Sequence, residues 1–330
     1  MLSYIIGITA IALYLFDPLS NFKGRNSGSN HADRRPPLPA AITTRLPKPQ
    51  LNEDLLAIDP ANSTDILNCE EDGYIIHVFL REPLVIYIES FLSVSERDHL
   101  LEISEPLFRP STTTSDGGAS HISDKSIRDS EVAVLPRTEG VRCVERRARA
   151  FQGWREDVWV ERLRTQRYGV DGHYGGHFDW SGNRGGWGRV SSFMGWVAGD
   201  ATGGEEEEEE EAEEEEEEMY GGKVESGGTE FPLLKMGDVD GQWGREWCRF
   251  VECEVKVLAE DGEGKEMVER RRRQRGEGTV FMPKPGNAVY WENFRSDGTA
   301  RGFEETWHLG LPVEKGTKVG LNIWSWGKID

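Results

Sequence analysis

Apolar residues along this chain fall into short runs with the spacing of strands or helices. Residues 74–80 and 84–88 are rich in β-branched and aromatic side chains, and Pro83 separates them. These runs predict two strands, because Pro lacks the N–H that a central strand needs. From residue 161 onward, short strand-like runs alternate with Gly-rich turns. The pattern therefore predicts an α+β fold that is mainly β.

Two segments carry helical signals, and both precede most of the predicted strands. Ser93 or Ser95 can cap a helix that starts soon after Phe91, with acidic residues in its first turn. A second helix is predicted over residues 141–154, where apolar side chains recur every three to four positions. The recurring residues are Val141, Val144, Ala148 and Phe151.

The N-terminus begins with a hydrophobic stretch. Residues 2–16 are uncharged and mostly apolar, and Lys23 and Arg25 follow them with no basic residue before. A membrane-spanning helix needs about 20 apolar residues and a signal-peptide core about 7–15, so this length is borderline. Without a clear cleavage site, residues 1–19 are predicted to be a retained anchor rather than a cleaved signal. The positive-inside rule would leave the rest of the chain in the cytosol.

The remaining chain divides by composition. Residues 20–67 are rich in Asn, Ser, Pro and Arg, which predicts an extended linker. Residues 68–330 then form the folded domain. Two segments without a core-forming period interrupt it, an acidic one over about 199–226 and a charged one over about 236–277. Both are predicted to be loop insertions, the first of them disordered.

Composition narrows the function classes. The chain has 330 residues and a net charge of −20, and thirteen Glu within 205–218 account for most of that excess. An acidic chain is a poor general binder of nucleic acid, because affinity for phosphate depends on basic surface. The hydrophobic content of 37%, with 38 Gly and 15 Pro, argues against a helical bundle or a coiled coil.

The four cysteines do not form a C-x-x-C motif and are too few for a disulfide scaffold. Cys248 and Cys253 lie five positions apart and could pair in an oxidising compartment. They could equally be small buried thiols, so cysteine usage leaves the compartment open.

The residues that suggest chemistry lie near the centre and the C-terminus. His177 and Asp179 are two positions apart, so on a strand their side chains would point to one face. His308 could add a second imidazole. Two His and one carboxylate form the facial triad of non-haem Fe(II) oxygenases. The H-x-D pair alone is a weak signal, and a distant His is often structural.

A strand predicted after His308 presents a cation. Lys318 shares one strand face with Gly320, Asn322, Trp324 and Trp326. A Lys that faces inward beside Trp requires an anionic partner, whereas a solvated edge Lys requires none.

With these motifs, the sequence resembles the prolyl 4-hydroxylase type of Fe(II)- and 2-oxoglutarate-dependent dioxygenases over roughly residues 80–326, outside the insertions. The motifs occur in family order: Glu82 to Ser93, Arg128 to Ser130, Tyr168 to Asp179, Gly227 to Pro232, Pro285 to Asn293, and His308 to Lys318. The resemblance implies a double-stranded β-helix (jelly-roll) core with supporting N-terminal helices.

The resemblance also implies roles for individual residues. His177, Asp179 and His308 would hold iron, and Lys318 would pair with the distal carboxylate of 2-oxoglutarate. Tyr168 would line the cosubstrate pocket, Trp324 would form the site wall, and Tyr174 would lie nearer the substrate. Trp196, at a position where the family usually has a Tyr-Leu strand, could alter the pocket. The insertions explain the long separation between Asp179 and His308.

By the same resemblance, the protein would hydroxylate a peptidyl side chain, with proline 4-hydroxylation as the family default. It would use Fe(II), 2-oxoglutarate and O2, with L-ascorbate to rescue oxidised iron, and would release succinate and CO2. The expected partner is a Pro-containing protein or peptide, not a nucleic acid. Two alternatives remain open, a zinc-type hydrolase on the same ligands and a jelly-roll binding module without turnover.

The expected location is the endoplasmic reticulum membrane, with a single N-terminal span and a lumenal catalytic domain. A cytosol-facing or a secreted protein is the alternative, and the charge asymmetry around residues 2–16 argues against the lumenal orientation. The oligomeric state does not follow from the sequence.

Overall fold

Strands make up most of the regular structure in the computed structural model, which describes residues 48–49, 53–59, 66–115, 120–122, 124–180, 185–200, 225–260 and 266–329. The strands, in chain order, are β1 (Ile75–Arg81), β2 (Leu84–Glu89), β3 (Arg109–Pro110), β4 (Thr113–Ser115), β5 (Ser120–Ile122), β6 (Arg128–Asp129), β7 (Glu131–Val134), β8 (Trp159–Val160), β9 (Arg164–Tyr168), β10 (His173–His177), β11 (Trp187–Asp200), β12 (Glu225–Ser226), β13 (Thr229–Lys235), β14 (Glu254–Glu260), β15 (Glu266–Arg272), β16 (Gly278–Phe281), β17 (Ala288–Glu292), β18 (His308–Gly310), β19 (Val313–Lys315) and β20 (Thr317–Lys328).

Two antiparallel sheets form the framework of the domain. The major sheet has the order β1-β2-β17-β11-β20-β9-β7-β3, with β8 paired to β20. The minor sheet has the order β16-β13-β18-β10-β6. Strands distant in sequence are neighbours in both sheets, as in a jelly roll. The predicted mainly β fold with a jelly-roll core is confirmed, although β11 and β20 are longer than the short strands expected.

Within the described residues, three helices accompany the sheets; the first two precede most of the sheet strands, as predicted, and the third follows β13. They are α1 (Val94–Ser104), α2 (Glu139–Phe151) and α3 (Gln242–Trp247), with single 3₁₀ turns at Glu53–Leu55, Glu105–Leu107 and Glu304–Thr306. Ser93 caps α1 in a capping box, in which its side chain accepts from Glu96 N and the Glu96 side chain accepts from Ser93 N. Thr138 caps α2 by accepting a hydrogen bond from Val141 N.

Alternation along the major-sheet strands divides the core into two layers. Ile86 and Ile88 of β2 belong to the layer that includes α1 and α2. Val85 and Tyr87 point the opposite way, into a layer shared with the minor sheet. Successive side chains on a strand point to opposite faces, so a strand that is buried on both faces contributes side chains to both layers. Helices α1 and α2 therefore support one face of the major sheet, and the other face is left for the site.

Part of the expected linker belongs to the folded domain. Leu56 and Ala57 are buried, and Ala57 N donates to Val160 O at 2.8 Å. Residues 53–59, which composition places in the extended linker 20–67, therefore pack against β8. The four consecutive apolar residues Leu55 to Ile58, within a Pro-rich and polar segment, are too short a run to show a strand or helix period.

The second predicted insertion is also folded. Residues 236–277 contain α3 and the β14–β15 hairpin, and Trp247 and Phe250 lie in the core layer between the sheets. A disulfide joins Cys248 to Cys253. The buried residues of this segment are spaced irregularly, so no helical or strand period revealed them.

A second disulfide joins Cys69 to Cys143, which are 74 positions apart. It ties the segment before β1 to α2. The sequence analysis named only Cys248 and Cys253 as a pair, because a separation of 74 residues gives no local signal.

The predicted anchor (residues 1–19) and the glutamate run (205–218) lie outside the described residues. Among the helices that the structure does describe, none has the length and apolar character needed to cross a bilayer.

Candidate metal centre

Two paired strands of the minor sheet bring the distant histidines together. His177 is the last residue of β10, His308 is the first residue of β18, and the two are register partners. Asp179 lies just beyond the end of β10. The ligand atoms of these three side chains all lie within 4.8 Å of one another. Asp179 thus reaches the histidines from the turn after the strand, and not from the strand face that the H-x-D spacing predicted.

Hydrogen bonds orient both imidazoles. The Nδ1–H of His177 donates to Gly175 O at 2.9 Å, and the Nδ1–H of His308 donates to Thr306 O at 2.9 Å. A carbonyl only accepts, so Nδ1 carries the proton and Nε2 keeps its lone pair. The Nε2 atoms lie 3.7 Å and 4.0 Å from the Asp179 carboxylate. Such backbone bonds commonly fix metal-binding histidines.

Burial and neighbouring charges together set the protonation states of His177 and Asp179. Burial, reinforced by His308, lowers the pKa of His177 to about 3. Burial opposes ionisation of Asp179, but the nearby His308, His177 and Arg189 hold the pKa of that carboxyl below its usual value. His177 is therefore a neutral imidazole and Asp179 a carboxylate at neutral pH, the forms that bind a metal.

Aromatic rings enclose the cluster. Tyr174 stacks on His177 with ring centroids 3.9 Å apart, and Phe231 stacks on His308 at 5.3 Å. Trp291 meets His308 edge-on at 5.0 Å. These contacts fix the imidazole planes and limit the access of water from the sheet side.

Lys318 is a buried cation in the same cavity. Its side chain is 1% exposed, and its Nζ donates to Gly227 O at 2.5 Å and lies 4.5 Å from the Tyr168 ring centroid. Burial lowers the pKa of Lys318 to about 7. No carboxylate in the described part of the chain forms an ion pair with it. An ammonium group buried in this way favours an anionic ligand.

One narrow cavity joins the cluster to Lys318. The lining residues come from both sheets and are Gln166, Tyr168, Tyr174, His177, Asp179, Met194, Thr229, Trp291, His308, Gly310, Lys318 and Asn322. Six of the seven residues selected from the sequence lie here. Trp324, the expected site wall, and Trp196, the suspected pocket residue, do not.

The two tryptophans have other surroundings. Trp196 is fully buried in the core layer between the sheets, where its ring centroid lies 6.1 Å from that of Tyr87. Trp324 lies six residues beyond Lys318 on β20, and the Arg189 guanidinium lies 4.0 Å from its ring centroid. Trp196 is therefore a core residue, and Trp324 belongs to the rim beside the cavity.

Sequence reasoning missed the ion pair at this rim. Arg189 Nε donates to Glu161 Oε1 at 2.6 Å, and Asp179 is among the charges that act on Arg189. Thr229, Met194 and Trp291 of the lining were missed as well. These residues occur singly on strands, and only the pairing of those strands places them at the cavity.

The donor set and the cavity fit a bound metal and a bound anion. Two imidazole nitrogens and one carboxylate oxygen match a facial triad with further positions for other ligands. A catalytic zinc site can use three protein ligands of the same types. The buried Lys318 distinguishes the two, because an anionic cosubstrate explains it and an activated water does not.

No protein-family model matches the chain, and no curated protein matches it. Among solved structures, the chain is similar to the viral collagen prolyl hydroxylase of Paramecium Bursaria Chlorella virus-1 in complex with 2OG, at 18% identity, with 74% of this chain and 96% of that chain covered and a TM-score of 0.43. A Pseudomonas putida prolyl-4-hydroxylase shows 14% identity, 73% and 91% coverage and a TM-score of 0.37. A prolyl hydroxylase from Trichoplax adhaerens, in complex with a hypoxia inducible factor peptide fragment, shows 11% identity, 74% and 83% coverage and a TM-score of 0.38.

Proposed function

We propose that this protein is an Fe(II)- and 2-oxoglutarate-dependent dioxygenase that hydroxylates a peptidyl side chain. One observation carries the proposal: His177, Asp179 and His308 share a cavity with a fully buried Lys318 that lacks a carboxylate partner among the described residues. The cluster supplies a facial set of metal ligands, and the ammonium supplies the charge that a dicarboxylic cosubstrate needs.

Different residues of the cavity would bind the iron and the 2-oxoglutarate. His177, Asp179 and His308 would hold the iron, which supplies the oxidation chemistry when bound. Lys318 would bind the distal carboxylate of 2-oxoglutarate, while Tyr168 packs against its ammonium. The aromatic enclosure would keep bulk water from the reacting groups.

The proposed reaction is 4-hydroxylation of a peptidyl proline, with O2 consumed and succinate and CO2 released. Support comes from the family order of the motifs and from Tyr174, which covers His177 at the cavity and would lie on the substrate side. L-ascorbate would sustain turnover by reducing oxidised iron.

An anaerobic titration tests the class of the protein. Fe(II) followed by 2-oxoglutarate should produce the weak visible charge-transfer band of an iron-chelated keto acid. A zinc-type hydrolase would give no such band. A binding module without turnover would release no succinate when O2 is admitted. Mass spectrometry of Pro-containing peptides after aerobic turnover then tests the substrate, with the gain of one oxygen atom on proline as the expected product.

We further propose that the domain works in an oxidising compartment, the lumen of the endoplasmic reticulum, held at the membrane by residues 1–19. The disulfides Cys69–Cys143 and Cys248–Cys253 support this, because disulfides persist in secretory compartments and are rare in the cytosol. Protease protection in sealed microsomes tests the orientation. Digestion of the domain without detergent would place it in the cytosol.

A further inference from the structure

Three arginines gather at the rim of the cavity. The guanidinium carbons of Arg189 and Arg164 lie 4.0 Å and 5.6 Å from the Trp324 ring centroid. The guanidinium carbon of Arg128 lies 4.3 Å from the ring centroid of Tyr174, which lines the cavity. The rim of the cavity is therefore cationic, whereas the chain as a whole carries a net charge of −20.

Among the described residues, Glu161 is the carboxylate that forms ion pairs with this arginine cluster, and the charge of Asp179 also acts on Arg189. Arg189 Nε donates to Glu161 Oε1 at 2.6 Å, and Arg164 Nη2 lies 3.7 Å from Glu161 Oε2. The guanidinium of Arg128 donates to the neutral Ser130 hydroxyl at 2.9 Å. Within the described residues, Arg128 Nη2 and Arg164 Nε are buried without a hydrogen-bond acceptor. The arginine cluster therefore has more positive charge than its carboxylate partners neutralise, and more N–H donors than there are acceptors in the described part of the chain.

The surplus has an energetic cost in the free protein. Burial, together with the like charges of Arg189 and Arg128, lowers the pKa of Arg164, although Glu161 opposes this. Like charges held together in a partly desolvated site repel one another, and an incoming anion relieves that repulsion. The side chains of Arg164 and Arg189 are 26% and 24% exposed, so a ligand can still reach them.

We propose that Arg128, Arg164 and Arg189 bind a carboxylate of the peptide substrate, an Asp or Glu side chain or the C-terminal carboxylate close to the residue that is hydroxylated. The proposal rests on the peptidyl substrate of the proposed function. Planar guanidinium groups suit this ligand, because their paired N–H donors match the two oxygens of a carboxylate. The enzyme would thus select acidic peptides over neutral ones.

Matched peptides test this selection by binding alone. The full chain, loaded with Mn(II) and 2-oxoglutarate so that no turnover occurs, is titrated with acetylated, amidated hexapeptides that contain one Pro. A Glu or a Gln occupies each position within two residues of the Pro. A further pair ends directly after the Pro as a free acid or as an amide. We expect one acidic peptide to bind about tenfold more tightly than its neutral partner, and the position of that Glu, or the free acid, identifies the source of the carboxylate.

Substitution of individual arginines tests whether these side chains cause the preference for the acidic peptide. Arg164→Gln and Arg128→Gln should each reduce the preference to about twofold or less, mainly by weakening the acidic peptide. The matched control is Arg167→Gln. Arg167 lies on the opposite face of β9, where it pairs with Glu131 and Glu105, and this change should leave the preference intact.

Two results would overturn the proposal. Equal binding of every Glu and Gln pair, and of the free acid and the amide, would show that no carboxylate is recognised. A preference for the acidic peptide that survives in Arg164→Gln and Arg128→Gln would place recognition elsewhere. Thermal denaturation verifies that both variants are folded. Failure of Mn(II) and 2-oxoglutarate to bind would instead count against the proposed function, and the peptide pairs can then be compared on the metal-free chain.

Discussion

His177 and His308 are direct register partners on β10 and β18, with imidazole centroids 4.3 Å apart, although 131 positions separate them in the sequence. Strand pairing brings the two residues together, and the backbone hydrogen bonds of their Nδ1 atoms orient the rings. Any change that alters the register of β18 against β10 would move the imidazoles apart, because a one-residue slip turns each side chain to the opposite face. The minor sheet is therefore part of the site, and not merely its support.

Removal of any one of the three side chains proposed to bind iron should abolish turnover. We expect His177→Ala, Asp179→Ala and His308→Ala each to lose Fe(II)-dependent conversion of 2-oxoglutarate to succinate while the domain stays folded. The reason is that a facial set loses its geometry with a single ligand. Succinate release and circular dichroism provide the measurements.

His173→Ala is the matched control for these variants. His173 lies on β10 as well, but its Nδ1 bonds to Asp171 O and it is not part of the cluster. This variant should retain turnover. Near-normal succinate release in His177→Ala, Asp179→Ala or His308→Ala would remove that residue from the proposed iron site.

Lys318→Ala should raise the 2-oxoglutarate requirement far more than it changes iron affinity. Loss of a buried partner for a charge costs about 3–5 kcal/mol, or roughly a hundred- to several-thousand-fold in affinity. Lys318→Arg should recover part of the loss, because Arg keeps the charge but has a larger, planar group. Equilibrium titration of both variants measures the change. A shift below about twofold in Lys318→Ala, with iron still bound, would contradict the assigned role.

The affinity for 2-oxoglutarate should fall as the pH rises above neutrality. In the ligand-free protein the pKa of Lys318 is lowered to about 7 by burial, so the amine is largely neutral at higher pH. Binding of a carboxylate then requires proton uptake, which weakens binding by up to about tenfold per pH unit. In Lys318→Arg the affinity for 2-oxoglutarate should depend less on pH. If the same pH dependence persists in that variant, it has another origin.

The same group should affect stability without ligand. The unfolded chain keeps the ordinary Lys pKa of 10.5, so between about pH 7 and 10.5 it binds more protons than the folded chain. The contribution of Lys318 to the free energy of unfolding therefore rises with pH across this window. Chemical denaturation of wild type and Lys318→Met, compared at pH 7 and pH 9, isolates that contribution.

Glu96→Ala should lower the free energy of unfolding by about 1–3 kcal/mol, because buried donors of Arg147 lose their acceptor. The buried Glu96 carboxylate accepts hydrogen bonds from Arg147 at 2.6 Å and 2.8 Å and from Ser93 N at 3.0 Å. The change removes half of the capping box and leaves the buried Arg147 guanidinium with Asp72 as its remaining carboxylate partner. Glu102→Ala, at an exposed position of the same helix, is the control and should have little effect. Similar denaturation midpoints for both variants would refute this account.

Deletion of residues 205–218 should leave uncoupled 2-oxoglutarate decarboxylation within a few-fold of wild type. The motifs continue on either side of this run, and glutamates alone cannot bury apolar area to offset the entropy of ordering. Succinate release without peptide measures the effect. Loss of the fold in the deletion variant would show that the run is structural.

Local signals and the order of motifs predicted much of the fold and of the site. Ser93 and the apolar spacing of α2 act within a few residues, so both helices could be found. His177, Asp179, His308 and Lys318 could be selected because their motif spacing lies within single strands or their ends. The structure brings these four together, and their roles remain predictions.

What the sequence did not reveal depends on contacts between distant segments. Arg164 and Arg189 look like solvated strand residues until β9, β11 and β20 pair and place them on Trp324. Trp196 was expected to alter the pocket because the family usually has a Tyr-Leu strand at its position, but its side chain is fully buried in the core layer between the sheets, near Tyr87. The Cys69–Cys143 disulfide likewise depends on how α2 docks, for which no local pattern exists.

The β14–β15 hairpin pairs only with itself among the described strands, from Glu254 opposite Arg272 to Glu260 opposite Glu266. The hairpin therefore adds to neither the major nor the minor sheet and lengthens no strand that bears His177, His308 or Lys318. An affinity tag or a fluorescent reporter inserted between Glu260 and Glu266 would leave both sheets continuous. This hairpin gives the protein an attachment point for immobilisation that leaves the strands lining the cavity unaltered.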